Sequence, residues 1–304
     1  MSPVDAKEGK QPGERFRVAA PSTLEAALRD HMPGASRRTL KQLVEHHRVR
    51  VDGKLATRLD AEVRQGATVA VAPRGASPGE PPPLPPGLEV LHRDAEVVVV
   101  EKPAGMLTIA TEREKRRTAY AHMREYVKAI DPRAKLFIVH RLDRLTSGLL
   151  LFATSNDAKE RLQRDFASRA VDRVYTTVVE GAPAEDEGTL RSYLVESSAH
   201  KVHTTTDKKR GVEAITRYRV LRRGRAHTLV EVRLVTGRKA QIRVQFADAG
   251  HPVVGDRIYG SGSNPIGRLA LHASSLSFTH PSTGRRLTFR SRAPHSFSQL
   301  VSEE

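Results

Sequence analysis

The apolar positions of this 304-residue chain follow two rhythms, separated by a stretch with almost none. From residue 17 to residue 73 they are spaced for short helices and short strands. Leu24, Ala27 and Leu28 recur at helical spacing behind Ser22-Thr23-Leu24-Glu25, which reads as a capping box. Pro33-Gly34 stops that helix. Ser36 is a natural cap for a second one, with Leu40, Leu43 and Val44 pointing inward. RVRVDGK then alternates as a strand into an Asp52-Gly53 turn, and a last strand is expected over 68–72.

Beyond residue 88 the rhythm is longer and strand-rich. LEVLHRDAEVVVV predicts a hairpin through Arg93-Asp94, its second strand broken at Lys102-Pro103-Ala104-Gly105. Leu149, Leu150, Leu151 and Phe152 have no polar alternation, the mark of a strand buried on both faces. Further strands are predicted over 136–139, 174–180, 214–221 and 228–234. Helices are predicted over 116–130 and 157–169, the second with Ala158, Leu162 and Phe166 on one face. A third runs from Gln241 through QIRVQFADAG to Gly250. No regular β-α alternation and no internal repeat emerges, so the larger part is a mixed α+β domain.

Residues 74–87, RGASPGEPPPLPPG, contain six prolines and three glycines, which exclude a helix or an interior strand. They make a stiff spacer. The chain thus divides into an extension expected to be disordered (1–16), a small domain (17–73), the linker (74–87) and a large domain (88–304).

Composition narrows the partner. Lys and Arg number 51 against 35 Asp and Glu, with net charge +4 over 1–87 and +12 over 88–304. Excess positive charge in both parts favours a polyanion, most simply nucleic acid. Residues 201–243 alone carry thirteen Lys or Arg against three acidic residues. There is no cysteine, hence no disulfide, thiolate metal site or thiol nucleophile. The N-terminal MSPVDAKEGK has no apolar segment, and no run approaches a membrane span, so a cytoplasmic protein is expected.

The chemistry gathers around HRLDRLTSGLLLFA, residues 140–153. Asp143 stands between Arg141 and Arg144 on the edge of the buried strand. By itself this arrangement suits a reactive carboxylate and a structural ion pair equally well. Protein-kinase motifs beyond the near-match HRLD are missing, as are a phosphate-binding Gly-rich loop, a zinc-protease helix and a serine-hydrolase elbow. His200 and His203 have no third ligand nearby and read as a solvent-facing turn.

Three distant segments join the opening motif: VDRVYTTVVEG with Tyr175, TGRKAQIRVQFADAGHPVVGDRIYG with Arg238, Lys239 and Arg243, and RLALHASSLSFTHP with Leu271 and His272. In this order they resemble the RluA-type pseudouridine synthases, over nearly all of 88–304. The two short helices, basic first turn and VDGK of the small domain resemble the S-four-like RNA-binding module. The resemblance implies the pseudouridine synthase fold, with a mixed, largely antiparallel sheet and flanking helices. It implies isomerisation of uridine in RNA to pseudouridine, without cofactor or metal, by a monomer whose partner is RNA, most simply large-subunit ribosomal RNA. Asp143 would act at the sugar, Arg243 would pair with it, and Tyr175 would lie against the uracil. Arg141 and Leu271 would line the pocket, Arg141 filling the space of the everted base. Arg37, Arg38, Lys41, Arg144, Arg238 and Lys239 would hold RNA. The other class consistent with this charge and fold is a non-catalytic RNA-binding or ribosome-assembly factor; a third is the same activity on tRNA.

The chain also departs from the family pattern. Leu145 replaces an acidic residue, Ala240 a His or Asn, and Gln245 a His, while Met106-Leu107-Thr108-Ile109 lacks the common Val-His-Pro. The expectation is that these affect RNA contacts and target choice, leaving Asp143, Tyr175 and Arg243 untouched.

Overall fold

The computed structural model describes residues 14–45, 48–72, 81–112, 114–198 and 201–302. The first thirteen residues, Pro73, residues 74–80 of the linker and His200 lie outside the described residues, while Glu14 to Phe16, expected within the disordered extension, instead open the first strand. Two compact units emerge, one of residues 1–83 with 125–135, the other of 84–124 with 136–304.

The first unit places α1 (Leu24–His31) and α2 (Arg37–Glu45) with six short strands: β1 (Glu14–Arg17), β2 (Ser22–Thr23), β3 (Val49–Val51), β4 (Lys54–Leu55), β5 (Glu62–Val63) and β6 (Thr68–Val71). Four of these form a sheet in the order β1-β6-β3-β4, and β2 pairs β5. Leu24, Leu28, Leu40, Leu43, Val49 and Val69 fill its core. The N-cap of α1 is Thr23, whose hydroxyl accepts from Ala26 N at 3.3 Å. The expected capping box through Ser22 and Glu25 does not form: the cap moves one residue on, Ala26 at the third position has no acceptor to return, and Glu25 accepts from Arg29 and Arg37 instead. Ser36 does cap α2, accepting from Thr39 N at 3.1 Å. Asp52 and Gly53 have φ of +47° and +78°, the left-handed pair that a two-residue hairpin turn requires.

The second unit is built on one mixed sheet. Its strands are β7 (Glu89–Arg93), β8 (Val97–Lys102), β9 (Phe137–Ile138), β10 (Ser147–Ala153), β11 (Asp172–Glu180), β12 (Glu187–Glu196), β13 (Val202–Thr205), β14 (Val212–Arg223), β15 (His227–Leu234), β16 (Leu271–Thr279) and β17 (Arg286–Arg290). The main path runs β13-β12-β14-β15-β11-β16-β10-β8-β7, with β17 on β16 and β9 on β10. Every pairing is antiparallel except β10 with β16. Four helices complete the described residues: α3 (Ala119–Ile130), α4 (Asn156–Ala167), α5 (Gln241–Asp248) and α6 (His295–Gln299). None is long and apolar enough to cross a membrane.

All seven residues of β10 are buried, because both faces of the strand are covered. Leu149 and Leu151 pack on Ala158 and Leu162 of α4. On the other face Phe152 meets the ring of Tyr120 from α3 at 6.3 Å. At the parallel crossing, Gly148 (φ +109°) faces Ala273, and a Cβ there would lie 2.3 Å from the Ala273 carbonyl oxygen. Only glycine lets these backbones pass so closely. The strands β12 and β13 escaped the sequence reading because their faces are mostly wet, so their alternation is weak. His203 accordingly lies exposed on β13 rather than in a turn.

Candidate active site

Asp143 sits on the loop that enters β10. The loop turns tightly, with Thr146 N donating to the Asp143 carbonyl at 3.1 Å. Two buried side chains brace it from behind. The Thr108 hydroxyl donates to Leu142 O at 2.8 Å and accepts from Leu142 N at 3.1 Å. Lys102, the last residue of β8, is fully buried and donates to the carbonyls of Pro103, Met106 and Arg144. Burial brings its ammonium down to about 7, against the pull of Asp143. Thr108 lies in the segment that departs from the family pattern, and its work is to support the loop.

Helix α5 brings Arg243 to the same place. Its Nη1 donates to Asp143 Oδ2 at 3.2 Å. Its stronger tie is to Asp256: Nε donates to Oδ2 at 2.7 Å and Nη2 to Oδ1 at 2.9 Å. The guanidinium also lies over the Tyr259 ring, 4.9 Å from its centre. Burial works to lower the Arg243 pKa, but the hydrogen bonds and charge of Asp256, joined by Asp143, hold it raised. Asp256 is itself fully buried and accepts from the backbone N–H groups of Ile258 and Tyr259. One arginine therefore bridges a sealed carboxylate and one whose side chain is 23% exposed.

The start of α5 is held by a buried amide network. Gln241 donates to Ile215 O and the Thr216 hydroxyl, and Gln245 to Leu190 O, Ser192 Oγ and Ala214 O. Gln245 is thus a sheet anchor and offers nothing to a surface ligand. Ala240, the N-cap, is left-handed at φ +52°, a conformation that suits Asn or Gly better than Ala. The departures at 108 and 245 shape the scaffold around the site, contrary to the expectation that they bear on RNA contacts, whereas Ala240 itself lines the smaller cavity beside Asp143. Leu145 is partly exposed beside the loop, and no contact explains its identity.

Two adjoining cavities open on Asp143. The smaller, about 60 Å³, is lined by Asp143, Tyr175, Ile242, Arg243 and Leu271 among others. The larger, about 460 Å³, shares Arg141, Asp143, Tyr175 and Arg238 and adds Arg173 and Lys239. The volume of the larger one suits a small organic ligand. Burial pushes the Tyr175 hydroxyl up to about 12, so it is a neutral phenol at physiological pH. His140 accepts from Leu151 N at 3.0 Å and stacks on Phe166, and burial lowers its pKa to about 3. It is a neutral prop for the strand.

The structure gathers Asp143, Tyr175, Arg243, Arg141, Leu271, Arg238 and Lys239 around these cavities. Lys239 also pairs with Glu196 at 2.5 Å, and Arg238 donates to Glu213 O. Arg144 faces solvent with its Nε on Gly105 O. Arg37, Arg38 and Lys41 are exposed on α2 in the first unit, where Arg37 pairs with Glu25 and Lys41 with Glu45. Asp256, Lys102 and Arg173 were missed as site residues. For Asp256 a signal existed: it is the sole carboxylate between Asp248 and Glu303, in a stretch otherwise basic or neutral. Among the described residues no cluster of three or more His, Cys, Asp or Glu is placed to hold a metal ion.

Comparison with known proteins bears on this arrangement. Residues 96–248 match the family described as RNA pseudouridylate synthase, and residues 24–69 match the S4 domain. The chain is 30% identical to an uncharacterized RNA pseudouridine synthase of Aquifex aeolicus, over 99% of this chain and 98% of that one. It is 31% identical to ribosomal large subunit pseudouridine synthase D of Neisseria meningitidis, over 92% of this chain and 78% of the other. The solved human RNA Pseudouridylate Synthase Domain Containing 4 aligns with a TM-score of 0.57 at 23% identity, covering 69% of this chain and 90% of that one. At such identity the last likeness speaks for the fold alone.

Proposed function

The chain belongs to the RNA pseudouridylate synthase family, and from that premise we propose that Asp143 carries the isomerisation, on uridine in large-subunit ribosomal RNA. The carrying observation is the Arg243–Asp143 contact of 3.2 Å at the mouth of cavities that Tyr175 and Leu271 also line. Arg243 is immobilised by Asp256 before any substrate arrives, so it presents a fixed cation to the reacting carboxylate. That fixed charge faces the Asp143 carboxylate when an incoming nucleotide displaces water.

In the proposed reaction Asp143 acts at the ribose, the N1–C1′ bond breaks, and the uracil turns in place. C5 then bonds to C1′, the C5 proton leaves to solvent, and N1 gains a proton. Tyr175 holds the turning ring by its face. As a neutral phenol it takes the C5 proton only if it gives up its own, and Asp143, free again once C1′ is rejoined, is the carboxylate within electrostatic reach. Arg141 occupies the place of the everted base, and Arg144, Arg238 and Lys239 contact the backbone nearby. In the first unit the N-terminal turn of α2, with Arg37 and Arg38 and no acidic residue, offers free N–H groups and positive charge to a phosphate.

Ribosomal RNA as target is supported by the name carried by the Neisseria relative. The proposal needs no second subunit, since every residue invoked comes from one chain, and it places the enzyme in the cytoplasm. RNA tritiated at uracil C5 tests it, because isomerisation releases that label to water. Wild-type protein is expected to release label from large-subunit ribosomal RNA. Asp143→Asn should release none above background while still binding RNA. Release by the variant removes Asp143 from its role, and label retained by ribosomal but released from transfer RNA corrects the target.

A further inference from the structure

Arg173 lies on β11 two residues before Tyr175, so both side chains leave the same face of the strand and both line the larger cavity. Its Nε is buried with no hydrogen-bond partner. Neither Nη atom donates to a described residue, and no carboxylate pairs with it. Yet the group is held in place. Its guanidinium carbon lies 5.4 Å from the centre of the Phe166 ring, and Phe166 stacks on His140 at 4.8 Å. Room for it is made at Gly237, where a Cβ would come within 2.2 Å of Nη1.

A guanidinium that is partly desolvated and unpaired destabilises a fold, so its retention calls for a partner absent from the free protein. Asp143 does not serve, being engaged by Arg243. The cavity's other charged lining is cationic, including Arg141, Arg169, Arg238 and Lys239. The missing partner is therefore an anion, and a flat fork of N–H donors matches phosphate oxygens. Building on the reading above, we propose that Arg173 binds the backbone phosphate of the nucleotide whose base lies against Tyr175. That contact fixes the ribose in front of Asp143.

The test compares the full-length wild type with Arg173→Gln and Arg173→Lys on a large-subunit ribosomal RNA transcript tritiated at uracil C5. Filter retention from about 50 to 200 mM salt gives the binding slope. Arg173→Gln should weaken binding about ten- to a hundredfold and reduce the salt slope by about one. It should raise half-saturating RNA far more than it lowers the turnover number. Arg173→Lys keeps the charge and should keep the slope. The melting midpoint of Arg173→Gln should hold or rise, since an unpaired desolvated charge is removed.

An unchanged slope overturns the proposal and leaves a neutral contact to the uracil. A loss of turnover at unchanged half-saturation overturns it in favour of an electrostatic effect on Tyr175, and a large fall in melting midpoint makes Arg173 structural. Retention and slope need no turnover, so a wild type that binds but releases no label counts against the proposed reaction and not against this contact.

Discussion

The two units of the protein use the same residue types for opposite purposes. In the first unit Arg37 pairs with Glu25, Arg58 with Asp60 and Arg64 with Asp52, and all three guanidinium groups stand in solvent. In the second, Arg243 joins Asp143 to Asp256 with only 7% of its side chain exposed. Surface pairs exchange freely with water and salt, so those arginines can be surrendered to a phosphate at little cost. The buried pair cannot be surrendered. It is a fixed element whose geometry is set before RNA binds, at the expense of desolvating three charges. Docking needs charge that is available, and chemistry needs charge that is committed.

The sharpest way to break this contrast is at Asp256. Asp256→Ala strands a buried guanidinium, which costs about 3–5 kcal/mol. The denaturant midpoint should fall accordingly, and tritium release should be lost with it as Arg243 drifts from Asp143. Asp143→Asn touches the other end of the same arginine, yet its side chain opens on the cavity, so stability should change little while activity vanishes. A silent Asp256→Ala would mean that Arg243 is not committed in the sense used here.

A second effect, smaller and spread over pH, follows from the histidines. His272 is buried between Ser147 Oγ at 2.8 Å and Ser291 Oγ at 2.9 Å, and burial, with Arg268 nearby, lowers its pKa to about 4. The fold therefore prefers its neutral form. Between the ordinary histidine value near 6.5 and about 4 the unfolded chain holds the extra proton, so stability should fall as pH drops through that window. The slope contributed is at most about 1.4 kcal/mol per pH unit, and above the window the contribution is constant. His140, lowered to about 3, adds in the same sense. His272→Gln should flatten the acid limb of an unfolding titration. An acid limb as steep as in the wild type would show that His272 does not report burial.

How much of this was legible in the sequence follows the same division. Helices α2 and α4 were readable because apolar spacing and capping residues agree locally, and strand β10 because its apolar run is unbroken, while α5 was readable as QIRVQFADAG ending at Gly250 without a side-chain cap. Asp143, Tyr175 and Arg243 were readable because family motifs surround them. Asp256 and Arg173 lie inside the same motifs, in GHPVVGDRIYG and VDRVYTTVVEG, yet went unmarked, since their importance lies in what solvates them, and solvation is fixed by strands far away in the chain. Gln245 looked like a lost RNA contact in the sequence, but it faces Thr216 and the backbone of Leu190 and Ala214 across the sheet. Thr108 looked like a gap in a motif and proves to be a double hydrogen bond to Leu142.

The smallest effect is expected where charge is most visible. Arg64 lies 3.3 Å from Asp52, but its side chain is 82% exposed. Asp52 is lowered from its ordinary value chiefly by the Thr68 N–H, which donates to it at 2.9 Å, and only secondarily by Arg64. The turn at Asp52-Gly53 is therefore held by backbone geometry, and the ion pair adds little to it. Arg64→Ala should leave the denaturant midpoint unmoved within error at both low and high salt. A clear loss of stability that high salt abolishes would mean that the first unit, too, commits its charges, and the distinction between docking and chemical charge would have to be redrawn along other lines.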